Sequence, residues 1–380
     1  MRILTIVFLA LLLLSACSES GDKATIAEDD KTKIRFSHLV GKNTPKGIGA
    51  NIFKRLVRER LGDKVVMEVY PNGLLYNDDD IMEALKSGKV VQLAAPSLSK
   101  LAEYNKKWQV FDLPFLFEDI HAVDTFQKSK RGKELLASLK EYDYVGLAYW
   151  HTGMKQLSAN KALEKPENLK GLTFRVPKAN ADETKESQNG EKDAAKESKQ
   201  PSVLQIQFKA LKAETKPIDF SEVYKALQSN DIDGQENTWS NIYSEKYHKV
   251  QNHFSETNHG YLGSLVIANT QFWNGLDKKV QDKLTKIIKE VTNKVNDELV
   301  EESDEYSRQK IEQNVGFFPL VQDEREEWCK AIWHKKDMQS DWKRIVNEIG
   351  SEILEAAKKA NKNKERCPFP TISEILSESN

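Results

Sequence analysis

Arg175 is the side chain in this sequence whose type and setting point most directly to chemistry. It lies in the short β-type run Thr173–Val176, so a rigid backbone is expected beneath it. A guanidinium stays charged and presents two parallel donors that match a carboxylate. From the residues alone, an ion pair at the end of a strand is the alternative to carboxylate binding.

The sequence contains no motif for catalysis or for a metal. It has no CxxC, no HExxH, and seven widely scattered histidines. The run GIGANIF after TPK lacks the third glycine of a dinucleotide fingerprint. An enzyme would need a nucleophile with a base, a carboxylate pair or a metal set. The sequence therefore predicts a protein without catalytic activity, metal or cofactor.

Composition and charge indicate a globular protein. The chain has 380 residues, 39% of them hydrophobic and 30% charged, with a formal net charge of −1. That length suits two ordinary domains or one large domain. A nucleic-acid partner is not predicted, because phosphate binding requires a basic surplus on one face.

The N-terminus has the features of an export signal. Arg2 precedes an apolar run, Ile3–Leu14, that is too short for a permanent membrane span. Leu14–Cys17 resembles the bacterial lipobox, which predicts a signal peptide over 1–17, lipidation of Cys17 and a flexible tether over 18–31. The predicted location is extracytoplasmic, lipid-anchored to a bacterial membrane. An ordinary signal peptide that contains a cysteine is the alternative.

Two further cysteines, Cys329 and Cys367, form an even number for an oxidising compartment. A disulfide between them would tie the C-terminal tail to a helix, and two unpaired thiols are the alternative.

Strand-like and helix-like runs alternate along the first part of the chain, which is typical of an α/β fold. Lys33–Leu39 alternates as a strand, a helix follows over 48–62, and KVVMEVYP and VQLAAPS are further strands. An almost wholly apolar strand such as VQLAAPS suits a parallel sheet covered on both faces.

The second part of the chain predicts longer helices. Ser221 is expected to cap a helix that ends near Asn230, and 235–256 is expected to be loop and then helix. YLGSLVIAN is a strand. From Asp277 to Gln313 the apolar spacing predicts one long amphipathic helix.

The polar run from 179 to 200 interrupts this pattern. This run, Ala179–Gln200, contains six acidic and four basic residues and no large apolar side chain that could be buried. Such composition favours a solvated surface insertion. A docking segment for a partner is the alternative.

Several stretches, taken in order, resemble the solute-binding proteins of TRAP transporters, and most closely the C4-dicarboxylate-binding branch. They include FSHLVGKNTPKG, FDLPFLF, GLTFRV, FSEVYKALQSNDIDGQENTWSNIY and NHGYLG, and they cover Lys33 to about Val321. The resemblance implies an α/β, two-domain periplasmic-binding-protein-like fold with the ligand cleft between the domains and a long domain-spanning helix. The expected division is domain I at 32–152 plus about 263–302, domain II at 153–262 plus about 303–345, and a C-terminal helix and tail at 346–380.

The resemblance also implies roles for particular residues. Arg175 occupies the position of the arginine that anchors the ligand carboxylate. Asn237 matches an asparagine that donates to the same carboxylate, and Phe220 matches an aromatic residue that packs on the ligand. The alternatives are a turn cap for Asn237 and plain core for Phe220.

A diacid needs a second cation at its far end, and Lys155 or Lys46 could supply it. The alternative for both is a solvated surface lysine. Ser97 follows an apolar strand, at the usual ligand position of an open α/β sheet. His38 and Trp239 are further candidates for the wall of the site.

The function that this resemblance implies is capture of a C4-dicarboxylate or related organic acid by a monomeric lipoprotein, and its delivery to a TRAP membrane permease. The insertion departs from the family pattern, since relatives pass from the arginine strand to the next helix within a few residues. Three alternatives stay open: a binder of a keto acid, sugar acid or sialic acid, a ligand sensor for a signalling receptor, and an extracytoplasmic enzyme.

Overall fold

The computed structural model of the chain describes residues 31–178, 200–362, 367 and 372–377. The predicted signal peptide with Cys17, the tether up to residue 30 and the insertion from 179 to 199 lie outside the described residues.

One mixed sheet runs through the described part of the chain, in the order β2-β1-β3-β8-β4-β7-β5-β6 with β9 beside β8. Its strands are β1 (Thr32–Ser37), β2 (Val65–Tyr70), β3 (Leu93–Ala94), β4 (Tyr144–Ala159), β5 (Thr173–Val176), β6 (Glu214–Pro217), β7 (Gly234–Asn237), β8 (His253–Asn269) and β9 (Gly316–Pro319).

The sheet has two parallel ends joined by a long antiparallel ribbon. β1 pairs in parallel with β2 and β3, and this end with its helices is called the first lobe. β5 pairs in parallel with β6 and β7, and this end is called the second lobe. β4 and β8 are antiparallel and long enough to belong to both ends. The predicted α/β architecture is confirmed, with a mixed rather than a purely parallel sheet.

The α-helices of the described residues are α1 (Pro45–Leu61), α2 (Ile81–Ser87), α3 (Leu98–Leu101), α4 (Ile120–Lys128), α5 (Lys130–Ala137), α6 (Val203–Ala210), α7 (Val223–Gln228), α8 (Trp239–Ser244), α9 (Thr270–Gly275), α10 (Lys278–Lys294), α11 (Val300–Glu312), α12 (Gln322–Trp333), α13 (Gln339–Ile349), α14 (Ser351–Ala360) and α15 (Ile372–Ser377).

Local sequence explains why α1 starts where it does. Thr44 accepts a hydrogen bond from the Gly47 amide, and Pro45 occupies the first helical position, where its missing N–H costs nothing. A Cβ at position 47 would lie 2.2 Å from the Gly41 carbonyl oxygen, so only glycine allows this close approach. The cap fixes the first turn of α1, which carries Lys46.

The predicted long helix is confirmed. α10 begins after an Asp277 cap and continues through a π-helical turn, Val295–Leu299, into α11. α10 packs against α1 of the first lobe, whereas α11 packs against α8 of the second. The helix therefore contacts both lobes.

The prediction that Ser221 caps a helix is wrong. Phe220–Glu222 forms a 3-10 turn, and α7 starts directly after it, at Val223. No side-chain cap is present at its first position.

The prediction of loop and then helix over 235–256 is also wrong in most of its length. Gly234–Asn237 is strand β7, α8 is short, and β8 begins at His253. Tertiary pairing overrides local preference here, because β7 and the start of β8 both pair with β4. VQLAAPS contributes only the two paired residues of β3.

The C-terminal helices contact elements of both lobes, since α14 packs against α4 and α5 whereas α12 packs against α6. The predicted disulfide is confirmed. Cys329 on α12 is bonded to Cys367, across 38 residues of sequence. Three tryptophans from this region, Trp328, Trp333 and Trp342, are almost wholly buried. Within the described ranges, no helix combines the length and the apolar character that a membrane span requires.

Candidate functional site

A cavity of about 730 Å³ opens between the two lobes. The first lobe contributes Lys46 and Ser97 to its wall, and the second lobe contributes Arg175, Phe220 and Asn237. Lys155, on the connecting strand β4, also lines it. The structure thus brings six of the eight sequence-predicted residues to one cavity.

Arg175 points into this cavity from the end of β5. Its Nε donates to the Ile218 carbonyl oxygen at 2.9 Å, which is the one hydrogen bond of its side chain among the described residues. Burial lowers the pKa of the guanidinium, although nearby acidic groups such as Asp78 and Glu236 oppose that effect. Because an arginine remains charged in any case, the site presents a fixed cation with two donor nitrogens toward the cavity.

Asn237 is held so that its amide nitrogen is left for a ligand. Its Oδ1 accepts from the Thr238 amide at 3.0 Å and from Asn241 Nδ2 at 2.8 Å. Both bonds occupy the carbonyl side of the amide, which fixes its orientation. The Nδ2 donor then faces the same cavity as Arg175.

Lys155 belongs to a buried ionic network. Its Nζ donates to Glu236 Oε1 at 2.6 Å, and the other oxygen of Glu236 lies 2.7 Å from His259 Nε2. Burial lowers the pKa of His259, so the imidazole is neutral, with the proton on Nε2 facing the carboxylate. Its Nδ1 lies 2.6 Å from the Thr257 hydroxyl, which donates to it.

Glu236 stays ionised inside this network. Burial raises its pKa, but Lys155 and His259 outweigh burial and hold the pKa at about 2. The backbone makes room for the pair as well. A Cβ at position 260, opposite Lys155 on β8, would lie 2.6 Å from the lysine Cε.

Lys46 is the more lightly held of the two predicted lysines. It is 4% exposed, and its Nζ donates to the Ala95 carbonyl oxygen at 3.1 Å. Burial lowers its pKa to about 8, although Asp78 opposes this. Neither lysine is the solvated surface residue that was the alternative.

Ser97 lines the cavity from the first lobe, and Phe220 lines it from the second lobe. Ser97 follows β3 at the N-cap position of α3, directly before Leu98, and its side chain makes no cap bond. Phe220 is partly exposed and belongs to none of the buried hydrophobic clusters. The plain-core alternative for Phe220 is therefore not what the structure shows.

His38 and Trp239 are the two predicted wall residues that do not line the cavity. Trp239 is packed in the second-lobe core, with ring centroids 5.6 Å from Phe317 and 6.2 Å from Phe254. His38 is 2% exposed, and burial followed by the charge of Lys46 lowers its pKa to about 3. Both residues support the wall from behind.

Sequence reasoning missed several polar residues that line the cavity, among them Glu236, Asp78, Asp112 and Thr152. Thr152 precedes Lys155 on β4 and has a buried hydroxyl without a partner in the described chain. Glu236 directly precedes Asn237, but alternation along a strand would place the two on opposite faces, so no local signal marked Glu236. No cluster of three or more metal-ligating side chains occurs among the residues that the structure describes.

Comparison with known proteins gives a consistent result. The sequence profile of the bacterial extracellular solute-binding proteins, family 7, matches residues 36–189 and 198–349. The C4-dicarboxylate-binding periplasmic protein DctP of Vibrio cholerae is 41% identical over 330 residues, which cover 86% of this chain and 90% of that protein.

Two solved structures of TRAP periplasmic solute-binding proteins are also similar. The protein from Shewanella oneidensis, with bound succinate, is 38% identical with a TM-score of 0.77, covering 87% of this chain and all of the other. The protein from Pseudomonas aeruginosa, with bound L-malate, is 40% identical with a TM-score of 0.72, covering 82% of this chain and 99% of the other.

Proposed function

Because this chain belongs to family 7 of the bacterial extracellular solute-binding proteins, we propose that it captures a C4-dicarboxylate and delivers it to the membrane permease of a TRAP transporter. The observation that carries the proposal is the placement of Arg175, a fixed cation inside a cavity between two lobes. The bound acids of the two similar structures support the choice of ligand.

In this proposal Arg175 binds one carboxylate of the ligand through its two terminal nitrogens. Asn237 donates from Nδ2 to the same group, and Phe220 covers the carbon chain. A bidentate arginine and an oriented amide select a planar carboxylate over a single-point anion.

Lys46 is proposed as the cation for the distal carboxylate. Lys155 is already paired with Glu236 at 2.6 Å, whereas Lys46 donates only to a backbone carbonyl oxygen among the described residues. Lys155 then acts as a positioning residue, and Ser97 offers a hydroxyl on the wall near Lys46. No ligand contact is proposed for His38 or Trp239.

The size of the cavity favours a second candidate ligand class. At about 730 Å³ it lies within the range of roughly 300–1,000 Å³ typical of small-molecule sites. A four-carbon acid leaves much of that space to water, so a larger keto acid, sugar acid or sialic acid is the runner-up. A sensor that presents the closed form to a receptor would use the same binding site.

Calorimetric titration tests the proposed function directly. The protein without residues 1–30 is unfolded, washed free of bound ligand and refolded. It is then titrated with succinate, malate, fumarate, a keto acid, a uronate and sialic acid. Micromolar or tighter binding of the C4 diacids alone is expected. Binding confined to a monoacid, or no binding by any acid, would contradict the proposal.

The proposed location is the outer face of a bacterial membrane, with Cys17 carrying the lipid and 18–31 serving as the tether. A Cys17→Ala variant would then be released from the membrane fraction. Retention of that variant on membranes would exclude the anchor.

Affinity is expected to fall as the pH rises through about 8. The charged form of Lys46 binds the ligand. Because its pKa is lowered to about 8, Lys46 loses its charge as the pH rises above 8. The dissociation constant should rise by up to tenfold per pH unit above pH 8. In Lys46→Arg, which keeps its charge, the dissociation constant should stay constant over the same pH range. A wild-type dissociation constant unchanged from pH 7.5 to 9.5 would contradict the role of Lys46.

The insertion is proposed to play no part in ligand binding. Its flanks, Lys178 and Gln200, lie at the cavity wall, but its composition favours solvent. Deleting 182–199 should change the dissociation constant by no more than about threefold, since loop length costs little entropy. A loss of tenfold or more would make the insertion part of the site.

A further inference from the structure

The cavity contains a buried carboxyl group, Asp78, that the proposed ligand contacts leave without a role. Asp78 lies between β2 and α2 and lines the cavity. Its Oδ1 is fully buried and has no hydrogen-bond partner in the described chain. An unpaired buried carboxylate oxygen is costly, so this group calls for an explanation.

The charges around Asp78 are those that the ligand would use. Lys46 on α1, Lys100 on α3 and Arg175 on β5 face it, and Asp79 is its neighbour in the same loop. Lys100 is already paired, because its Nζ lies 2.6 Å from Asp79 Oδ1. Asp78 is thus the internal counter-charge of Lys46 and Arg175, the two cations proposed to hold the ligand.

Entry of a diacid upsets this balance. Lys46 and Arg175 supply two positive charges, and the ligand brings two negative charges. Within this local set of Lys46, Arg175, Asp78 and the ligand, an ionised Asp78 would leave one negative charge in excess. Carboxylates that share a buried site raise one another's pKa, which favours proton uptake by one of them.

We propose that Asp78 is a further ligand-contacting residue, which takes up one proton from solvent when the dianion binds and then donates a hydrogen bond to it. The proposal rests on the proposed function, since it requires a dicarboxylate at Arg175 and Lys46. The only bond change is a proton transfer: a buffer acid loses the proton, and an Asp78 carboxylate oxygen gains it as an O–H.

The environment of Asp78 supports this proton uptake. Burial raises its pKa above the usual range in the ligand-free protein, although Lys100, Arg175 and Lys46 oppose the rise. A bound dianion neutralises two of those three cations and adds its own repulsion. Both effects raise the pKa further, so the protonated form gains on binding.

Asp112 is the other carboxyl group in the cavity wall whose pKa is raised by burial. It faces Lys155 and Glu236, and its Oδ1 accepts from Ser99 Oγ at 2.5 Å. Ser99 already satisfies one oxygen of Asp112, and Lys46 is not among the charges that act on it. Asp112 is therefore the less suitable proton acceptor. The experiment must nevertheless separate the two.

The test is calorimetry with fumarate at pH 6.0 and pH 7.0, in two buffers of different ionisation enthalpy. Fumarate is a full dianion over this range, so any proton taken up goes to the protein. Lys46 stays mostly charged below pH 7 because its pKa is about 8. The wild type should take up a proton, and its dissociation constant should weaken by roughly three- to tenfold from pH 6.0 to pH 7.0.

Three matched variants complete the test. Asp78→Asn keeps the shape and a donor, so it should bind fumarate with no proton uptake and less than about a twofold change with pH. Asp112→Asn and the exposed control Asp63→Asn should keep the wild-type slope.

The outcomes are distinguishable. Wild-type binding without proton uptake overturns the proposal for Asp78 and leaves the proposed function intact. If the dissociation constant of Asp78→Asn keeps the wild-type pH dependence, Asp78 is not the proton acceptor and the proposal is overturned. The same holds if Asp112→Asn loses that pH dependence. No binding of any acid by the wild type overturns the proposed function itself.

Discussion

Arg175→Ala is expected to weaken the binding of a C4 diacid by roughly 10²- to 10⁴-fold. The ligand carboxylate would enter the cavity without its cation, and leaving a buried charge unpaired costs about 3–5 kcal/mol. Arg175→Lys should restore only part of this loss, because an ammonium group cannot reproduce the bidentate geometry. Calorimetry on the stripped protein measures all three dissociation constants.

The same variant should fold normally. Among the described residues the Arg175 side chain makes one hydrogen bond, to Ile218, and its guanidinium is desolvated without an ion-pair partner. Its removal should not lower the melting temperature of the ligand-free protein. Arg55→Ala, on the exposed surface of α1, is the matched control and should keep wild-type affinity. Normal binding by Arg175→Ala would refute the assignment of the anchor.

Glu236→Gln is expected to be the most destabilising single change near the site. It would leave Lys155 buried without its counter-charge, 2.6 Å from a neutral amide. Breaking a buried ion pair in this way costs about 3–5 kcal/mol of the free energy of unfolding. Denaturant unfolding at pH 7, with the exposed Glu59→Gln as control, measures the difference.

The pH dependence of that difference follows from the lowered pKa of Glu236. The pKa is about 2 in the folded protein, against ~4.3 in an unfolded chain. Its stabilisation is therefore complete above pH ~4.3 and is lost as the pH falls toward 2. The stability gap between wild type and Glu236→Gln should narrow by about half at pH 3. A gap that stays constant would show that the charge of Glu236 is not its cause.

A second substitution separates charge from packing. In the double variant Lys155→Met/Glu236→Gln the unpaired cation is gone, so its stability should exceed that of Glu236→Gln alone. Equal or lower stability would mean that the network contributes mainly through shape.

The sequence predicted the parts of the fold that depend on local pattern. The strand and helix periods of residues 33–70 and the long helix that starts at Asp277 needed only apolar spacing and caps. The role predicted for Arg175 came from the family resemblance, since the residues alone left an ion pair at the strand end as the alternative; the structure places Arg175 in the cavity wall. The pairing of Cys329 with Cys367 followed from there being two of them.

The parts that failed depend on contacts between distant segments. His253 to Ser255 reads as the end of a helix, but pairing with β4 and β9 makes it a strand. Glu236 meets Lys155 because β4 and β7 are antiparallel with Gln156 opposite Asn237, a register that no local signal encodes.

The same reason explains the two misplaced wall residues. Trp239 lies two residues after the site residue Asn237, but α8 turns its ring into the second-lobe core. His38 directly follows β1, yet its ring is covered beside Phe36. Proximity in sequence to a site residue therefore does not predict which side of the wall a side chain occupies.

A crystal structure of the stripped protein with succinate tests the central claim most directly. The account predicts one succinate in the cavity between the lobes, with a carboxylate at hydrogen-bond distance, about 3 Å, from the terminal nitrogens of Arg175 and from Asn237 Nδ2. Its other carboxylate should lie beside Lys46 Nζ and Asp78. Succinate bound away from Arg175, or an empty cavity at saturating concentration, would contradict the account.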